Sequence, residues 1–252
     1  MNNAPRIGLI VTVMLVSPII GAVEFDDSKK CNEIRDDPDL TIQYCTTAIQ
    51  SGKLSAEKLV PVMARRGYSY YQKQNYDQAI GDFNAVIRLD PNDARIYIAR
   101  GMAYEYLERN YEEAVDNFNS AIRLDPSNAR YYNYRCWALV LNGDAKSALS
   151  DCKKSLQLRP DDPNTLDSRG LAHFALGNYQ AALKDYNRTI QLDSAAWSTH
   201  LNRARLLEIL GNTSQAEADR NIARENAQGE EQYGTWLGSV EDAEKNNQHH
   251  RQ

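Results

Sequence analysis

Arg66-Gly67-Tyr68-Ser69-Tyr70 returns thirty-four residues later as Arg100-Gly101-Met102-Ala103-Tyr104, and more loosely as Arg169-Gly170-Leu171-Ala172-His173. Outward from these stretches the arginine recurs at Arg66, Arg100, Arg135, Arg169 and Arg203, in steps of 34, 35, 34 and 34 residues. A fixed period of that length marks a stacked-repeat architecture, in which each unit buries its flanks against its neighbours and function lies in shape and surface.

Each period has the same internal plan. A small residue follows the arginine at Gly67, Gly101, Cys136, Gly170 and Ala204, and three positions on stand Tyr70, Tyr104, Leu139, His173 and Leu207. A second small residue comes at Ala79, Ala114, Ala148, Ala182 and Ala216, followed four residues later by Phe83, Phe118, Cys152, Tyr186 and, less typically, Arg220. Small residues let two helices approach, and large ones at helical spacing fill the seam. Turns such as Lys73-Gln74-Asn75, Asn142-Gly143-Asp144 and Gly177-Asn178 divide each period, and Asp90-Pro91, Asp125-Pro126 and Arg159-Pro160 separate periods, because proline disfavours helix in the residue before it. The unit is a helical hairpin.

This pattern resembles the tetratricopeptide repeat, a helix-turn-helix unit with a small-residue and aromatic signature. The resemblance covers residues 60 to about 227 and implies an all-α, right-handed superhelix of five units at 60–93, 94–128, 129–162, 163–196 and 197–228. Three departures stand out. Arg replaces the family's usual Leu before the first small residue, Glu108 to Asn110 carries one extra residue, and Ser194 stands where a proline is expected.

At 42% hydrophobic and 25% charged, the composition supplies a long quasi-one-dimensional core, and a net charge of -5 argues against nucleic acid as a partner. Arg6 precedes an apolar run from Ile7 to Ile20 that is too short to span a bilayer comfortably but has the length of a signal-peptide core, with Ala22 before the cleavage point. Residues 1–22 are therefore expected to be a signal peptide, the mature chain to have no membrane span, and the protein to be periplasmic or secreted. The alternatives are an uncleaved anchor or a wrongly assigned start.

Export gives the four cysteines meaning. Cys136 and Cys152 occupy the small and bulky positions of one unit and should face one another across the hairpin. Cys45 aligns with Phe83, while Cys31 precedes the Asp36-Asp37-Pro38 turn, so residues 28–59 read as a degenerate unit stapled by Cys31 to Cys45. Closing a loop of about 15 residues contributes on the order of 3 kcal/mol in the chain-entropy picture. The competing reading is that all four thiols are free and buried. No cysteine or histidine spacing fits a metal site; His173 and His200 fall at packing positions, and no cofactor is expected.

The arginines have a polar counterpart 16 or 17 residues on, at Asp82, Asn117, Asp151, Asp185 and Asp219. A guanidinium in a packed seam is costly without an acceptor, so a structural pair per unit is expected, within a unit or between neighbours. The alternative is a basic track for an acidic ligand.

In the family resembled, first helices line a groove for a peptide or a partner's helix. Its positions carry over to Arg65, Tyr68 and Tyr71; to Arg95, Ile98 and Met102; to Arg130, Asn133, Tyr134 and Trp137; to Asn164, Asp167, Leu171 and Phe174; and to Asn202 and Arg205. Tyr, Trp and Arg often carry interface energy. Family members that clamp a terminal carboxylate use Lys, Arg and Asn where this chain has Ala64, Tyr68, Ala99, Arg130 and Tyr134, so that clamp is not reproduced. Phosphate-binding loops and nucleophile-base constellations are lacking in the sequence. The expectation is a non-enzymatic scaffold or adaptor of the cell envelope, similar to secreted bacterial tetratricopeptide proteins, with a protein or peptide partner. It would be a monomer or weak homo-oligomer; the alternative is a self-assembling structural component. Residues 229–245 are expected to form a capping helix and 246–252 a disordered tail.

Overall fold

A computed structural model of the chain describes residues 24–107 and 109–227, and within them lie twelve α-helices and no strand. The first pair is α1 (Glu24–Glu33) and α2 (Pro38–Gln50); the five units are α3 (Ala56–Gln72) with α4 (Tyr76–Leu89), α5 (Ala94–Tyr106) with α6 (Tyr111–Leu124), α7 (Ala129–Leu141) with α8 (Ala145–Leu158), α9 (Pro163–Ala175) with α10 (Tyr179–Leu192), and α11 (Trp197–Ile209) with α12 (Thr213–Asn226). Each helix packs chiefly on its neighbours in sequence, and first helices also meet across units, as α7 meets α9. This is an all-α solenoid of helix pairs. The expected signal peptide, capping helix and tail lie outside the described residues.

Helix ends follow local chemistry. Asp37, Asp93, Asn110, Asn128, Asp144, Asp162 and Asn212 accept a hydrogen bond from a first-turn amide, satisfying a donor the helix leaves open. Helix α3 begins at Ala56, four residues ahead of the unit boundary at 60, because Ala56 to Val60 continue the helix and Pro61 is accommodated inside it. In every unit the turn between helices needs a left-handed residue. Gly143 (φ 91°), Gly177 (φ 77°) and Gly211 (φ 79°) supply it freely, whereas Gln74 (φ 60°) and Arg109 (φ 55°) adopt it against their side chains.

The core is one small-to-large contact, repeated. A Cβ added to Gly67 would lie 2.8 Å from Phe83, one on Gly101 2.5 Å from Phe118, and one on Gly170 2.5 Å from Tyr186, so these glycines are required by the ring above them. In the third unit Cys136 and Cys152 are joined by a disulfide, with Cα atoms 5.5 Å apart, and two buried sulfurs fill the space that glycine and an aromatic ring fill elsewhere. The Cys31–Cys45 disulfide joins α1 to α2 and packs with Val62 of α3, sealing the first pair onto the stack. In the fifth unit Arg220 turns outward to Glu208 and Glu217, leaving the seam to Ala204, Leu207 and Ala216.

The arginines are structural on both sides. Arg66, Arg135, Arg169 and Arg203 each grip both oxygens of the aspartate in their own unit, Asp82, Asp151, Asp185 and Asp219, at 2.6–2.8 Å. The remaining Nη1 reaches back into the preceding unit: Arg66 to Thr46 (3.1 Å), Arg100 to Asn84 (2.5 Å), Arg135 to Asn119 (2.7 Å) and Arg203 to Asn187 (2.7 Å). Hydrogen bonds donated to the aspartates raise the pKa of Arg66, Arg135 and Arg169. Arg100, paired with the neutral Asn117 at 2.7 Å, is instead lowered by burial. Tyr70, Tyr97 and Tyr132 place their rings beneath Arg66, Arg100 and Arg135.

Candidate functional site

The residues assigned to a groove all lie on the first helices α3, α5, α7, α9 and α11, but they differ in access. Tyr68 is 39% exposed and stands edge-on to Phe83 at 5.3 Å. Tyr71 is half-buried and packs at 5.6 Å against Tyr76 and 6.1 Å against Tyr106, two rings that stack on one another at 5.5 Å. Tyr134 lies 5.9 Å from Phe118, and Trp137 rests half-buried on the Cys136 cluster. Burial, with neighbouring Tyr106, raises the Tyr71 pKa, and burial also raises that of Tyr68, so both hydroxyls stay neutral donors.

Arg95 and Arg130 are exposed; Arg95 pairs with Asp93 at 2.7 Å, while Met102 is half-buried. Ile98, Asp167, Leu171 and Phe174 are buried, as is Asn202, so they set the spacing of the wall. Asp167 receives Nδ2 of Asn202 at 3.3 Å, and burial pushes its carboxyl up to about 6 against the hydrogen bonds of Thr199 and Asn202. Asn164 lies exposed at the start of α9 and Arg205 half-buried in α11. His173 is lowered by burial, and His200 is buried between Asp219 (2.8 Å) and the carbonyl of Ser194 (3.1 Å).

Sequence reasoning missed several members of this face. Tyr106, 56% exposed, extends the aromatic row, and Glu105 beside it buries Oε1 without a hydrogen-bond partner among the described residues. Burial pushes the Glu105 carboxyl up to about 8. Counting one helical turn on from Met102 would have found Glu105. A cavity of about 510 Å³ opens at the amino-terminal end of the face, lined by Arg35, Arg65, Tyr68, Gln72 and Arg95 among others. Among the described residues there is no cluster of metal-ligating side chains and no helix long and apolar enough to cross a membrane.

Similarity to solved structures follows the fold. A tetratricopeptide repeat protein from Parabacteroides merdae ATCC 43184 superposes with a TM-score of 0.74 at 15% identity, covering 90% of this chain and 88% of that one. MamA from Desulfovibrio magneticus RS-1 gives 0.59 at 17% identity, over 68% and 94% of the two chains. YrrB, described as a TPR protein with an unusual peptide-binding site, gives 0.52 at 19% identity, over 78% and 97%. No curated protein matches the chain by sequence. Residues 67–107 match a family profile described as a TPR repeat, and residues 106–163 and 163–196 match two described as tetratricopeptide repeat. These matches run together over just over half of the sequence, in register with the arginine period and the helix pairs: the chain belongs to the tetratricopeptide repeat family.

Proposed function

We propose that the protein is a non-enzymatic scaffold or adaptor of the cell envelope that holds a peptide or helix of a partner protein against its first-helix face. The observation that carries this reading is the row of partly exposed aromatics, Tyr68, Tyr71, Tyr106, Tyr134 and Trp137, displayed on rigid helices where a monomeric surface would ordinarily be polar. A wall of fixed rings suits a guest held extended or as a helix, since little order is lost in the host on binding. The family is generally a protein-interaction module, which supports the same reading. Two disulfides support an oxidising compartment, and the apolar run from Ile7 to Ile20 supports export.

Recovery of partners from an envelope extract by the wild type and by a Tyr134→Ala, Trp137→Ala double variant tests this. Loss of specific partners in the variant, with the helical spectrum preserved, is expected. Equal recovery by both proteins removes the aromatic face as a binding surface.

A further inference from the structure

Three guanidiniums line the cavity at the amino-terminal end of the face, and only one is neutralised. Arg95 is held by Asp93 through Nε (2.9 Å) and Nη2 (2.7 Å). Arg35 and Arg65 have no ion pair or side-chain hydrogen bond among the described residues, and Nε of Arg65 is buried without any acceptor. Arg66, the very next residue, by contrast donates to both oxygens of Asp82. Burial first, and then the charge of Arg35, lower the pKa of Arg65, so the two cations feel one another. Asp90, also on the cavity, accepts the amide of Asn92 in the turn after α4.

We propose that Arg35 and Arg65 form an anion-binding site at the mouth of the first-helix face, and that its ligand is the side-chain carboxylate of an acidic segment in the bound peptide. This rests on the reading of that face as a peptide-binding surface. A guanidinium presents a planar fork of donors that fits a carboxylate, and neither Arg35 nor Arg65 has a carboxylate of its own among the described residues. Tyr68 and Gln72, on the same cavity, flank the pair with a ring and an amide.

The two arginines come from different units, which gives the degenerate first pair a role beyond closing the stack. Arg35 sits in the connection between α1 and α2, four residues after Cys31, whose disulfide to Cys45 fixes that connection against α3. Half of the site is thereby positioned by a cross-link, and neither Arg35 nor Arg65 stands at one of the family's clamp positions.

The test is a titration of the full, disulfide-bonded chain with acetyl-tetraglutamate amide, following the arginine Nε–Hε resonances by NMR. Acetyl-tetraglutamine amide and acetyl-tetraalanine with a free carboxyl terminus are run alongside. The glutamate peptide is expected to move the Arg65 resonance saturably, the glutamine peptide to leave it in place, and the alanine peptide to bind more weakly. Because Arg35 is exposed, Arg35→Gln should keep the melting temperature of the wild type while weakening the glutamate peptide about tenfold, the value of one charge-assisted contact. An Arg65 signal that does not move, an equal response to the glutamine peptide, alanine binding as tight as glutamate, or unchanged affinity in Arg35→Gln would each overturn the site. The Tyr134→Ala, Trp137→Ala variant leaves both arginines intact, so an Arg65 response there alongside unchanged partner recovery shows that the aromatic face has failed and the anion site has not.

Discussion

Arg135 holds Asp151 with two parallel hydrogen bonds, Nε and Nη2 each lying 2.6 Å from a carboxylate oxygen. Asp151 is buried in α8 and the guanidinium is about three-quarters covered, so removing the acid leaves a cation with little water to replace it. Asp151→Ala is expected to destabilise by about 2–3 kcal/mol, below the fully buried case because the arginine keeps some solvent. Asp151→Asn, which copies the Arg100 and Asn117 pairing, should cost about 1 kcal/mol. Urea unfolding followed by circular dichroism, with hydrogen exchange in α7 and α8, checks both.

One rung of the ladder is broken. Where Asn84, Asn119 and Asn187 accept Nη1 of the following unit's arginine, the fourth unit's Arg169 meets Lys153 in register, and its Nη1 has no acceptor among the described residues. Lys153→Asn restores the acceptor and removes a like charge, so it should stabilise by about 1 kcal/mol, read as a higher urea midpoint. A lower midpoint would show that the lysine has a different partner.

Gln74 occupies the left-handed turn position that three other units give to glycine. Gln74→Gly should raise stability by about 0.5–1 kcal/mol, the steric relief exceeding the added freedom of the unfolded chain, whereas Gln74→Ala should gain nothing. Thermal melts of the three proteins at one concentration decide it.

Glu105 sets a pH dependence. Its folded pKa of about 8 lies above the unfolded value, so between roughly pH 4.3 and 8 the folded chain keeps a proton the unfolded chain has lost. Stability from this group therefore falls as pH rises through that window and levels off above it. In Glu105→Gln that part of the slope should vanish, visible as a smaller loss of melting temperature between pH 5 and pH 8 than in the wild type.

The helix pairs and both disulfides were legible because they depend on contacts within one unit. Gly67 and Phe83, or Cys136 and Cys152, are sixteen residues apart in a hairpin whose turn fixes their meeting, so composition at two positions suffices. The Arg135 and Asp151 pair was readable for the same reason. The acceptors of Nη1 were not, since Asn119 belongs to the unit before and the same place holds Thr46 at one end and Lys153 in the middle. Access on the first-helix face was equally hidden: whether Phe174 or Leu171 faces outward depends on how closely the next helix approaches, and both are covered. Arg35 escaped notice because the shortened first pair has no consensus against which to count it.

The backward reach of each guanidinium gives the stack a direction. Shedding the last hairpin would release Arg203 together with its own Asp219 and leave behind, of the ladder, only the uncharged amide of Asn187, though Asp167 would lose the donor on Asn202. Shedding the first hairpin would take away Thr46 and strand a donor on Arg66 at the new boundary. For the arginine ladder, shortening is thus gentler at the carboxyl end than at the amino end, where the leading hairpin is itself cross-linked in place.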